Sequence, residues 1–383
     1  MESREYEEEF LIKNEPHKFT EEHFNLILKH LDDIGGSDVY LLSGEPIFMD
    51  VQGLKKVVSR NSLSFDSLEV MLKSLKGSNA IGRLNGGIPI NDEYETKMEV
   101  NGELKRFRYR MNFTGVKNQG KDGIQATIRS IPVTPPPLEA IGLSADHPIF
   151  KSFFPLQGLV LVTGPTGSGK STLMASCVAA ILGIKDANRV INTYEAPIEF
   201  VFDEIFKYSC LISQSTIPDN CASFKKGIEN SLRRKPEIII IGELRDRETI
   251  EAAIEAAQTG HLVIATTHTN GVPETIRRLI NTFPSSDRES IQSDIIECLQ
   301  LIVSQRLLKT VDKKRIAVRE YLKFTMQVKE RLLNVSPLKI NLETREILKE
   351  KGLGIVIDAT KSFEAGILLE SDYIALCDTF AFE

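Results

Sequence analysis

Gly164-Pro165-Thr166-Gly167-Ser168-Gly169-Lys170-Ser171-Thr172 follows an apolar run at residues 159–163 and precedes a helical stretch reaching about Leu182. This is the G-x-x-x-x-G-K-[ST] pattern of a phosphate-binding loop, set between a strand and a helix as its mechanism requires. Glycines let backbone N–H groups close around phosphates, and the following helix N-terminus adds a favourable dipole. Lys170 is placed to reach the β and γ phosphates of ATP, and Ser171 to offer its hydroxyl to Mg2+. The competing reading, a chance match, is opposed by the strand and helix on either side.

Further apolar runs at residues 190–194, 238–242 and 262–267 alternate with helical stretches. That is the pattern of an α/β fold with a parallel sheet covered on both faces. Two of these runs end in a carboxylate, Glu195 and Glu243, and the third runs into His268. Ligands in open α/β sheets bind outside the carboxyl ends of the strands, so the loop and all three side chains are expected to gather at one edge. There Glu243 would orient Mg2+ or the attacking water, Glu195 would act as general base and His268 would sense the γ-phosphate. The bland alternatives are a solvated or capping glutamate and a structural histidine. His261 starts its strand and is expected farther away, unless the loop or a neighbouring subunit brings it to the phosphates.

Toward the N-terminus, residues 1–18 are charged and aperiodic, which predicts a mobile acidic tail. Thr20 then precedes a helical pattern with Phe24, Ile27, Leu28 and Leu31 on one face, stopped by Gly35-Gly36. Alternating segments at 38–42 and 47–51 and a helix at about 67–76, closed by Gly77, read as a small sensor-type α+β module. A hairpin ends it, with strands at 106–113 and 124–131 and a turn at Gly120-Lys121-Asp122-Gly123. Arg108 and Arg110 then share one face, either as a solvated surface or as arginine fingers reached by closure of domains or subunits. Pro132-Val133-Thr134-Pro135-Pro136-Pro137 favours extended backbone and marks a linker. The predicted boundaries are 19–132, a linker at 133–141, and 142–383 with a helical region from about 325.

At 383 residues the chain has room for two or three domains, and 42% apolar with 26% charged residues is ordinary globular composition. A net charge of -6 and a pI near 5.7 argue against a nucleic-acid partner, which calls for a basic face. Five cysteines without a C-x-x-C pair fit neither a disulfide framework nor zinc, and suit a cytoplasmic setting. No apolar run approaches the ~18 residues of a membrane span, so any membrane association is expected to be peripheral.

These motifs resemble the secretion ATPase superfamily, in the type II/type IV branch that contains the PilT-like pilus retraction ATPases. Residues 164–172 match its Walker A, Glu195-Ala196-Pro197-Ile198-Glu199 its Asp box, Gly242-Glu243 its atypical Walker B, and Gly260-His261 with His268-Thr269 its His box. Similar wording appears at Ser37-Asp38-Val39, 108–112, Arg129-Ser130-Ile131-Pro132 and Ser304-Gln305-Arg306-Leu307-Leu308. The resemblance implies a PAS-like N-terminal domain, a RecA-like P-loop ATPase domain, a homohexamer, and ATP held between the domains with Arg108 and Arg110 assisting. Ala196 replaces the usual acid of the Asp box, and Val328-Lys329-Glu330-Arg331-Leu332-Leu333 only faintly echoes the retraction signature. Among the branches, the chain is most similar to the ATPases of type IVB (Dot/Icm-like) secretion systems, which implies a cytoplasmic motor recruited to an inner-membrane complex. Alternatives are a pilus retraction motor, a nucleic-acid translocase and a non-catalytic ATP switch.

Overall fold

The computed structural model describes residues 6–380 other than 101 and 119. The chain divides between Val133 and Thr134 into two compact units. In the first, α1 (Phe24–Asp33), β1 (Asp38–Leu42), β2 (Phe48–Val51), β3 (Leu54–Val57), α2 (Phe65–Lys76) and α3 (Ala80–Asn85) lead into three long strands. These are β4 (Ile90–Val100), β5 (Glu103–Asn118) and β6 (Lys121–Ile131). All pair antiparallel in the order β3-β2-β1-β6-β5-β4. One face of the sheet sends Val39, Leu41, Tyr109, Met111 and Phe113 into a core shared with Ile27, Leu28 and Leu31 of α1. This is the amphipathic stripe expected of a helix laid on a sheet.

Residues 6–18 differ from the mobile tail predicted for 1–18, of which 1–5 lie outside the described residues. Leu11 and Ile12 are buried, and the Ile12 N–H donates to the Val58 carbonyl at 2.8 Å. The Glu15 carboxylate accepts from the backbone N–H groups of Arg60 and Asn61 at 2.8 and 2.7 Å. Two adjacent apolar residues suffice to anchor a segment that has no helical or strand period. The β5–β6 turn is also tighter than the predicted 120–123, because pairing continues to Asn118 and Lys121. Gly123 therefore lies inside β6, where a Cβ would approach the Ser43 side chain to 3.4 Å.

The second unit contains α4 (Pro148–Phe153), β7 (Gly158–Thr163), α5 (Lys170–Leu182), β8 (Val190–Glu195), β9 (Leu211–Thr216), α6 (Phe224–Ser231) and β10 (Ile238–Ile241). It continues with α7 (Arg247–Gln258), β11 (Leu262–Thr267), α8 (Val272–Asn281), α9 (Arg288–Cys298), β12 (Leu299–Lys309) and β13 (Arg315–Lys323). Four helices close it, α10 (Met326–Leu333), α11 (Ile340–Lys351), α12 (Ile355–Glu364) and α13 (Glu370–Thr379). The sheet order is β13-β12-β7-β11-β10-β8-β9, parallel except for the β12–β13 hairpin at one edge. Strands β7, β10 and β11 are buried along their whole length, as continuous apolar runs between two helical layers must be. One layer buries Leu173, Val178 and Leu182 of α5, and the other buries residues of α7 through α11. Residues 138–141 form a 3-10 turn whose Leu138 joins the α5 layer. Among the described residues no helix is long and apolar enough to cross a membrane.

Candidate functional site

β7 ends at Thr163, and the chain turns through residues 164–169 into α5, whose N-cap is Gly169. Gly167 and Gly169 hold φ of +77° and +82°, which only glycine adopts without strain, and Gly164 has φ of +145°. A Cβ at Gly164 would lie 2.3 Å from the Gln305 carbonyl oxygen, so the loop's fit against β12 also demands glycine. No side chain caps α5 among the described residues, so its first N–H groups and its dipole face the loop's concavity. The Ser168 hydroxyl is buried and finds no hydrogen-bond partner among the described residues. An uncapped helix end, a glycine cradle and an orphan donor together suit a polyphosphate.

Lys170 is 7% exposed, and its ammonium donates to the carbonyls of Gly164 and Pro165 at 2.9 and 3.1 Å. Its third direction faces His268 Nδ1 at 3.3 Å, and His268 Nε2 lies 3.4 Å from Glu243 Oε1. A protonated lysine has no lone pair, so Nδ1 must accept and the ring proton must sit on Nε2, pointing at Glu243. His268 is thereby a neutral bridge. Burial first, and then the Lys170 charge, lower its pKa and hold it neutral. The His268 carbonyl is fixed in turn by Arg278 Nη1 at 3.1 Å. Thr266 Oγ1 donates to the Gly242 carbonyl, and Leu244 N–H returns to Thr266 O at 3.0 Å, which ties the end of β10 to β11. Glu243 also receives Arg245 Nε at 2.5 Å.

Glu195 ends β8 almost fully buried, at 8% exposure. Desolvation pushes its carboxyl up to about 7, against hydrogen bonds from Thr193, Gln214 and the Glu199 backbone that favour the charged form. A cavity beside it is lined by Ser171, Thr193, Glu195, Glu199 and Phe200. The oxygen groups there, two hydroxyls and two carboxylates, are the chemistry a hard cation such as Mg2+ takes. A carboxyl poised near neutrality beside the phosphate loop is what general-base work requires.

The structure therefore brings Gly164, Pro165, Thr166, Gly167, Ser168, Gly169, Lys170, Ser171 and Thr172 together with Glu195, Glu243 and His268 at the carboxyl edge of the sheet. His261 is not among them. Its carbonyl accepts the N–H of Gly158, the first residue of β7, at 3.0 Å. At about 3.3 Å per strand residue, six residues separate it from the phosphate loop by roughly 20 Å. Arg108 and Arg110 belong to the other unit, where Arg108 is buried on β5 and ion-paired with Glu93 at 2.6 Å.

Residues 125–341, more than half of the chain, match the Type II/IV secretion system protein family. The chain belongs to that family. Among its solved relatives, the ATPase DotB of Legionella pneumophila is 41% identical with a TM-score of 0.84, covering 96% of this chain and 99% of that one. The pilus retraction motor PilT with bound ADP is 27% identical with a TM-score of 0.73, covering 91% and 95%. By sequence, the type IV pilus retraction ATPase PilT of Pseudomonas aeruginosa is 33% identical over 287 residues, 75% of this chain and 78% of its own.

Within this secretion-family site, sequence reasoning assigned no role to three polar side chains. Gln305 on β12 donates to the Ser168 carbonyl at 2.6 Å, and its own Oε1 accepts Arg319 Nε at 2.7 Å. Arg319, buried and with its pKa lowered to about 10 by desolvation, also donates to the Ile141 carbonyl at 2.6 Å. The third is Gln214 on β9. Gln305 stood in a recognised stretch, but nothing in the sequence reveals that it underpins a loop 137 residues earlier. Gln305→Leu takes away the partners of the Ser168 carbonyl and of Arg319 Nε and is expected to weaken ADP affinity about tenfold, measured by fluorescent-nucleotide titration.

Proposed function

We propose that this chain is the ATP-hydrolysing subunit of a homohexameric ring that powers a type IVB, Dot/Icm-like secretion system from the cytoplasmic side of the inner membrane. The observation that carries the reading is the likeness to the Legionella ATPase, which runs over nearly the whole of both chains. ATP and Mg2+ are the proposed ligands, and residues 164–172 cradle the phosphates. Lys170 turns from its loop carbonyls toward the β and γ phosphates, a charge-assisted contact in a buried site. Ser171 and Glu243 would hold Mg2+, which would neutralise phosphate charge when bound. Glu195 accepts the proton of the attacking water, and Glu243 with neutral His268 orients the γ-phosphate end of the site. Hydrolysis alters the contacts of Lys170 and His268, and a ring turns that local change into displacement of partner proteins. Arg108, Arg110 and His261 are proposed as groups that reach the nucleotide only in the assembled ring.

ATP turnover over a protein concentration series, with mass determination alongside, tests this reading. Wild type is expected to gain activity as hexamers form and to ignore added single-stranded DNA. Glu243→Gln is expected to lose about 10²-fold or more in kcat. A fully active monomer would remove the ring motor, and stimulation by DNA would favour a translocase. The sequence match to the Pseudomonas retraction ATPase supports a second reading, pilus retraction. Deleting the gene decides between them, according to whether effector secretion or pilus retraction is lost.

A further inference from the structure

The parallel register of β8 and β9 sets Thr193 opposite Gln214. Alternation along a strand puts Thr193 and Glu195 on one face, so a side chain opposite Thr193 on that face reaches both. Thr193 Oγ1 donates to Glu195 Oε1 at 2.8 Å, and Gln214 Nε2 donates to the same oxygen at 3.3 Å. The Gln214 amide has no freedom to flip. Its oxygen accepts the Phe202 N–H at 3.2 Å, and its nitrogen also donates to the Phe200 carbonyl at 2.9 Å. Only one orientation satisfies an N–H on one side and two acceptors on the other. Phe200 and Phe202 are themselves buried in the core beside α5, so the amide is anchored on packed groups.

We infer that Gln214 is a positioning residue of the hydrolytic site, supplied by the sheet's edge strand, which with Thr193 fixes where the Glu195 carboxylate points. A buried carboxylate without such donors would be free to turn away from the reacting water, and a general base misplaced by an ångström loses most of its effect. The inference rests on Glu195 being the general base. A merely structural alternative exists, in which Gln214 only satisfies the backbone at 200–202. The two differ in what a substitution does to kcat and to nucleotide affinity.

The full chain is assayed for single-turnover ATP hydrolysis, ADP Kd and Tm as Gln214→Leu, Thr193→Val, Glu195→Gln and the Gln214→Leu/Glu195→Gln double. Gln214→Leu is expected to lower the hydrolysis rate about 10- to 100-fold, the worth of one hydrogen bond to a charged group, with ADP Kd within about twofold of wild type. In the Glu195→Gln background it is expected to add nothing to the residual rate, because the group it positions is gone. Thr193→Val is expected to act in the same direction, which serves if Gln214→Leu does not fold. Equal losses in both backgrounds, weakened ADP binding in step with the rate, or full activity of Gln214→Leu would each overturn the inference. So would a fully active Thr193→Val where Gln214→Leu is unfolded. Wild-type turnover by Glu195→Gln alone would instead sink the reading of Glu195 as base.

Discussion

Glu195→Gln is expected to lower ATP turnover by about 10²- to 10⁴-fold, the usual worth of a general base, while making the fold more stable at neutral and alkaline pH. The opposition follows from the burial of the carboxyl. Desolvation raises its pKa from 4.5 to about 7 in the folded chain. The folded state therefore binds the proton more tightly than the unfolded chain does, and wild type loses stability as pH rises between those two values. At 1.36 kcal/mol per pKa unit the loss is roughly 3 kcal/mol above pH 7. Glutamine mimics the protonated acid and does not titrate. Its stabilising effect should be near zero at about pH 4.5 and grow to roughly 3 kcal/mol by pH 8, or about 6 °C in the melting of a unit of this size. Turnover of wild type should climb with pH through about 7, since only the deprotonated carboxylate accepts a proton. Thermal melts and rate profiles of the two proteins over pH 5–8.5 check both halves. An inactive variant with no pH-dependent gain in Tm would place Glu195 in a solvated site, contrary to its burial.

How far the sequence discloses this site depends on whether each residue signals through its neighbours in the chain. Glycines at positive φ and a lysine at fixed spacing announce the phosphate loop, because its geometry is local. Glu195 and Glu243 were legible because each ends an apolar run, and the rule that ligands gather beyond the carboxyl ends of strands converts that into position. Gln214 and Gln305 were not. Each acts across a strand pairing that no local pattern encodes. The β9 strand reads Leu-Ile-Ser-Gln-Ser-Thr, polar enough at an edge to pass for a loop. β12 begins at Leu299 directly after α9 ends at Cys298, with no glycine or proline to mark the change from helix to strand. β4 went unread because its Asp92, Glu93, Glu95 and Lys97 lie on a half-exposed strand with little apolar alternation. The docking of residues 6–18 likewise rests on carboxylates meeting backbone N–H groups some 45 residues away.

Lys170→Ala should abolish nucleotide binding at ordinary concentrations and leave the empty fold intact. In the structure the ammonium is surrounded by two carbonyls and a neutral imidazole, and burial lowers its pKa. A lysine whose folded pKa lies below its unfolded value destabilises the fold while it remains charged, so its removal carries no stability loss from that source. The buried Gly164 carbonyl and the part-buried Pro165 carbonyl lose this donor, a cost that relief of the buried charge offsets. Binding is another matter. Two charge-assisted hydrogen bonds to phosphate oxygens, at about 1.5–3 kcal/mol each, correspond to at least about 10²-fold in Kd. Titration with fluorescent ADP alongside thermal melts checks this, with Tm expected to match or exceed wild type without nucleotide and no longer to rise when nucleotide is added. A variant that still gains Tm with ADP would show that backbone N–H groups and the helix dipole carry the affinity. In that case Lys170 would serve hydrolysis through its contact with His268 and Glu243, and the variant would bind ATP without turning it over.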